Sequence, residues 1–136
     1  MKVFGSSVIM TASMLFLLFA GCTTTGQVAA PMTGGETGVD GVRTFVLTGE
    51  NFKFVMGGID NPDIVVNHGD RVRIEFVSAQ GFHDWVVDEF GAATERVRDG
   101  NSTSVEFVAD RAGTFEYYCS IGHHRAQGMR GSLIIQ

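Results

Sequence analysis

The side chains of this 136-residue chain that are equipped for chemistry gather in one stretch, Tyr117-Tyr118-Cys119-Ser120-Ile121-Gly122-His123-His124-Arg125-Ala126-Gln127-Gly128-Met129. Cys119, His124 and Met129 are separated by four residues each. Thiolate, imidazole and thioether are soft or borderline donors, a set that selects copper over hard, oxygen-loving cations. Two His and one Cys in a trigonal arrangement, with a weak and long axial Met, make a blue copper electron-transfer centre. The stretch lacks one imidazole of that set. His83, in Gly81-Phe82-His83-Asp84-Trp85, is the candidate for it. His68 lies in the polar turn Asn67-His68-Gly69-Asp70 and reads as solvated.

The elements that must position these donors read as strands. Alternation of apolar and polar residues marks Phe45–Leu47, Phe52–Met56, Ile64–Val66, Val72–Phe76, Phe82–Val87, Val105–Val108, Gly113–Cys119 and Gly131–Gln136. Gly49-Glu50 is expected to bend the chain, Gly57-Gly58 and Asn61-Pro62 to break it, and Asp99-Gly100-Asn101 to turn it. Ala92–Arg98 is compatible with an edge strand or with one helical turn. Seven to eight short strands with turn signals between them predict an all-β Greek-key β-sandwich. Parity aims the donors. Cys119 shares its face with Phe115 and Tyr117, His83 with Trp85 and Val87, and Met129 with Leu133 and Ile135. All three segments therefore point their donors inward at one end of the sandwich, where a rigid sheet scaffold suits electron transfer.

Cysteine arithmetic supports a metal. There are two cysteines. If Cys22 is consumed by processing, Cys119 is left unpaired, and an exported chain with a lone Cys has metal ligation as a leading reason for it.

The Cys-x4-His-x4-Met loop, the upstream His on a strand and the closing C-terminal strand resemble a cupredoxin, over roughly Arg43 to Gln136. The spacing is most similar to the rusticyanin kind. Azurin-like members have the same first gap and a shorter second one, and plastocyanin-like members a shorter first gap. The resemblance implies one type 1 copper held by His83, Cys119, His124 and Met129. Family spacing chooses His124 over His123, which becomes a solvent-facing neighbour or a support to the ligands. Main-chain N–H groups around the loop are expected to donate to the Cys119 sulfur. Asp84 stands where cupredoxins often carry a polar side chain bonding across to the Cys loop.

Residues 1–21 read as an export signal: Lys2 gives a thin positive start and Val8–Ala20 is apolar apart from Thr11 and Ser13. Ala20-Gly21-Cys22 resembles a bacterial lipobox, with Phe19 departing from its usual Leu. Cys22 is thus expected to carry lipid and to anchor the protein in the periplasm; the apolar run is short for a membrane span. Residues 22–42 are Thr/Gly-rich and read as a flexible tether. Residues 43–136 form the folded domain.

A one-electron carrier cycling Cu(I)/Cu(II) is the expected function, with redox proteins as partners and the chain as a monomer. An enzyme with a second catalytic copper would need about three further imidazoles. The chain has four His in all, leaving His68 and His123. The alternatives are a subunit of a copper-dependent redox complex and a copper carrier or store, although outside the signal only Met32, Met56 and Met129 remain, with no Met-rich tract. A zinc site is chemically possible for the same donors. The net charge is -5, and -6 once Lys2 leaves with the signal, which argues against nucleic acid or anionic membrane surfaces as partners. Within that acidity the loop carries His123, Arg125, Gln127 and Arg130, a locally positive rim suited to a partner with acidic groups.

Overall fold

Strand formation follows the alternation closely. The computed structural model describes residues 36–37 and 41–136. The signal at 1–21, Cys22 and most of the 22–42 tether lie outside the described residues. The described chain is built from thirteen strands and one short 3-10 turn. In order they are β1 (Glu36–Thr37), β2 (Val42–Glu50), β3 (Lys53–Met56), β4 (Ile59–Asp60), β5 (Ile64–Val66), β6 (Arg71–Ser78), β7 (Phe82–His83) and β8 (Val86–Val87). The turn Asp88–Phe90 follows, then β9 (Ala92–Ala93), β10 (Val97–Arg98), β11 (Ser102–Val108), β12 (Gly113–Tyr118) and β13 (Arg130–Ile135).

One sheet runs β11-β6-β2-β3-β4, with β1 paired to the start of β2 through Glu36–Thr44 and Thr37–Arg43. The other runs β5-β13-β12-β8-β9, and β7 pairs with β10 in a two-stranded ribbon. Two pairs are parallel, β2 with β6 and β5 with β13; the rest are antiparallel. Inward-facing Phe45, Leu47, Ile74 and Phe76 of the first sheet join Tyr117, Leu133 and Ile135 of the second in one buried core. Phe54 and Tyr117 meet across the sandwich edge to face, ring centres 5.3 Å apart, a geometry aromatic pairs prefer. This is the expected all-β sandwich.

Three local expectations are refined. The expected single strand Phe82–Val87 is two, because His83, Asp84 and Trp85 are all buried and strict alternation cannot bury three successive residues. The chain leaves the ribbon after His83 and joins the second sheet at Val86, opposite Tyr118. Ala92–Arg98 resolves into two short strands, β9 and β10, with the helical turn falling just before, at Asp88–Phe90. The bend expected at Gly49-Glu50 falls at Asn51-Phe52 instead, and Gly49 stays in the strand. A Cβ at Gly49 would lie 2.5 Å from the Phe76 ring and 3.3 Å from the His83 Cβ. Gly49 is there for close packing.

Candidate metal centre

The chain segments that carry the donors end together at one pole of the sandwich. β12 delivers Cys119, β7 delivers His83, and the loop between β12 and β13 carries His124 and Met129. Main-chain hydrogen bonds knit that loop. His124 N donates to Ile121 O at 3.0 Å, Met129 N to His124 O at 2.9 Å, and Cys119 N to Met129 O at 3.1 Å. The three loop donors are thereby tied to one another through backbone.

Nδ1 of His83 and Nδ1 of His124 are 3.1 Å apart, and the Cys119 Sγ lies 3.7 Å from the first and 3.4 Å from the second. Among the described residues, this is the one group of three or more His, Cys, Asp or Glu gathered closely enough to hold an ion. A point equidistant from the three atoms lies about 2.0 Å from each, close to the roughly 2.0–2.3 Å of nitrogen and thiolate bonds to a first-row metal. Size and donor softness both fit copper. His83, Cys119 and Met129 are buried, whereas His124 is half-buried. His123 is exposed and is not a member of the cluster, and His68 is exposed with Nε2 3.0 Å from Asp110 O.

Burial pushes the Cys119 thiol up to about 11, against smaller opposing effects from the backbone N–H groups of Asp84 and Ile121. Those amides aim at the sulfur, as expected of the loop. Burial also pulls the His124 imidazole down, aided by the neighbouring His83 ring and opposed by Asp84. The ring is therefore neutral at neutral pH and keeps its lone pair for a metal.

The supporting contacts are specific. His83 Nε2 lies 2.7 Å from Gln80 O, an acceptor that places the proton on Nε2 and frees Nδ1. Gly81 lies over that nitrogen; a Cβ there would come within 2.8 Å of it. The backbone N–H of Gly81 donates to Asp99 Oδ1. Asp84 does bond across to the Cys loop, its Oδ1 accepting from Ser120 N at 2.6 Å and its Oδ2 from Ser120 Oγ at 2.5 Å. Arg96, on the surface, approaches the same carboxylate at 3.5 Å and offsets its charge.

Some contributors had no signal in the sequence. Phe52 sits in the left-handed region at φ 65°, and its ring meets His124 edge-on at 5.1 Å. Asn61 donates from Nδ2 to Gly128 O at 3.1 Å across 67 residues of chain. Arg125 and Arg130 both pair with Glu116, at 2.5 and 3.4 Å, so the rim is less positive than the residue types alone suggest. Arg125 also covers the Tyr118 ring, 4.0 Å from its centre.

A model of the copper binding proteins of the plastocyanin/azurin family matches residues 48–136. The chain is 30% identical over 91 residues to the copper-containing nitrite reductases of Alcaligenes xylosoxydans xylosoxydans and Pseudomonas chlororaphis. Those alignments cover 58% of this chain but 28% and 25% of the two enzymes, so the chain spans about a quarter of the length of the curated relatives it matches. Similar solved structures include the dithionite-reduced auracyanin of Roseiflexus castenholzii, with 20% identity, a TM-score of 0.60, and coverage of 76% of this chain and 99% of that one. Rusticyanin of Thiobacillus ferrooxidans is similar with 24% identity and a TM-score of 0.57, covering 75% of this chain and 86% of that one. At these identities both likenesses speak for the fold.

Proposed function

Because the chain belongs to the plastocyanin/azurin family of copper-binding proteins and its cofactor is a single type 1 copper, we propose that it is an exported one-electron carrier. His83, Cys119 and His124 would be the principal donors to the ion and Met129 a fourth, weaker one, in a loop of rusticyanin-type spacing. The observation that carries this reading is the buried triangle of two Nδ1 atoms and one Sγ. When bound, copper supplies a one-electron couple between Cu(I) and Cu(II). The protein's part is to hold the donors still. Backbone bonds between Cys119, His124 and Met129 and the Asp84–Ser120 clamp keep one geometry for both charge states. Half-buried His124 is the most open of the four donors and would offer an electron the shortest way to the surface. Lipid on Cys22 would hold the domain at a periplasmic membrane, and a redox partner with acidic groups would meet the loop rim.

The test is the absorption spectrum of the copper-loaded full chain together with a potentiometric titration. An intense charge-transfer band that disappears in Cys119→Ser, and a reversible one-electron wave, are expected. Weak bands in fully loaded wild type would overturn the assignment. For the anchor, Cys22→Ala should move the protein out of the membrane fraction with the spectrum intact. An uncleaved, membrane-bound variant would instead make the segment an anchor in its own right.

A second reading is favoured by the alignment with nitrite reductases: the chain as the electron-transfer part of a copper-dependent redox enzyme. Copper stoichiometry separates the two. One ion per chain, and no nitrite consumed by the reduced protein, supports the carrier; a second tightly bound ion or turnover supports the enzyme.

A further inference from the structure

We propose that Asn61, at the end of the β3–β4 hairpin, is a positioning residue that sets where Met129 stands relative to the other donors. The proposal rests on Met129 being the axial ligand. Met129 occupies the centre of a three-residue turn, since Arg130 N donates to Gly128 O at 2.8 Å. Gly128 enters that turn at φ 103°, a conformation essentially reserved for glycine. Met129's own N–H and C=O are committed to His124 and Cys119. The Gly128–Met129 peptide that opens the turn is held within the loop at both ends, and the Asn61 amide adds a hold from outside the loop, donating to the same Gly128 carbonyl at 3.1 Å.

Asn61 is itself rigidly held. Its backbone N donates to Phe54 O at 2.7 Å, and its Oδ1 accepts from Phe54 N at 3.0 Å. Its φ of 45° is left-handed, a conformation Asn tolerates better than most residues and one that persists where surrounding contacts fix it. The next residue, Pro62, accepts the buried Tyr117 hydroxyl at 2.5 Å. The hairpin end therefore touches the strand leading to Cys119 as well as the turn holding Met129. The position demands a donor and an acceptor on one short side chain, with a backbone that accepts positive φ. Asn supplies all three; Asp lacks the donor, Ser is too short to bridge, and Gln adds a methylene that the paired bonds to Phe54 and Gly128 leave no slack for.

The experiment is a double-mutant cycle on the copper-loaded full chain, reading the reduction potential and the relative intensities of the charge-transfer bands. Asn61→Gly keeps the backbone conformation and removes the grip without adding charge. Asn61→Asp keeps the acceptor for Phe54 N and removes only the donor; the charge it adds is common to both backgrounds and cancels in the cycle. Each should raise the potential in the same direction as Met129→Leu but by less, after that cancellation, and should shift the band ratio. In a Met129→Leu background Asn61→Gly should have no further effect, and Asn61→Asp none beyond that of its added charge. A wild-type potential and spectrum in Asn61→Gly, accompanied only by a lower melting temperature, would overturn the proposal by making Asn61 merely structural. So would a shift of equal size in both backgrounds. If Met129→Leu itself changes nothing, the axial assignment fails first, and the proposal falls with it for that distinguishable reason.

Discussion

Cys119 shows how much one residue's surroundings decide. Its thiol, ordinarily near 9.0, is pushed up to about 11 by burial in the metal-free protein, so it carries its proton at neutral pH. Ligation as thiolate must release that proton, while His124, already neutral, has none to give. Loading with copper in weakly buffered solution at pH 7 should therefore release one proton attributable to Cys119, absent in Cys119→Ser, measurable with a pH electrode or indicator dye. The sign for stability follows from the same shift. A group whose folded value is raised lends stability below its unfolded value and loses it as pH climbs to the folded one. Metal-free wild type should thus lose stability relative to Cys119→Ser between about pH 9 and pH 11, seen as a widening gap in denaturant midpoints. The loop donors were legible in the sequence because Cys119, His124 and Met129 lie within one turn-sized segment with fixed gaps. Asn61 and Phe52 were not, since each reaches the loop only after the sheet has folded back over 67 and more than 70 residues respectively.

Strands were readable wherever one face met the core and the other met water. β6 is the clearest case, with Val72, Ile74, Phe76 and Ser78 buried and the residues between them more open. The reading failed at the Phe82–Val87 segment because its middle is covered on both sides, so Asp84 is buried along with its neighbours. Here the side-chain bonds of Asp84 to Ser120, and not the pleat, determine which residues face inward. Gly49 misled for a related reason. A glycine between two strand-like runs suggests a bend, yet it marks a place where the Phe76 ring comes close against β2. Gly49→Ala should accordingly cost about 1–3 kcal/mol, the usual range for overpacking a closed core. The check is urea denaturation of the metal-free protein. Because the new methyl also approaches the His83 Cβ, the spectrum of the copper-loaded variant should shift while the copper content stays at one per chain.

The whole molecule is acidic, with a net charge of -5, and its few exposed cations near the metal pole are partly spent on Glu116. Arg125 is bound to Glu116 and packed on Tyr118, so Arg130, with its longer 3.4 Å pair and more open side chain, is the freer charge for steering. Arg130→Glu should slow association with an acidic redox partner and flatten its salt dependence, since exposed charges are screened beyond roughly 8–10 Å at ordinary ionic strength. Stopped-flow rates across a salt series check this; rates indifferent to both would show that Arg130 does not steer. Phe52 has its own effect at this scale. His83, Cys119 and Met129 are sealed, and among the described residues the donor that faces water is His124, with the Phe52 ring meeting it edge to face. That makes the turn between β2 and β3 a door, and the lifetime of a bound ion should depend on how often the door opens as well as on how tightly the ligands grip. Phe52→Gly, which suits the left-handed backbone better than phenylalanine does, should let a chelator strip copper several-fold faster from a centre whose colour is unchanged.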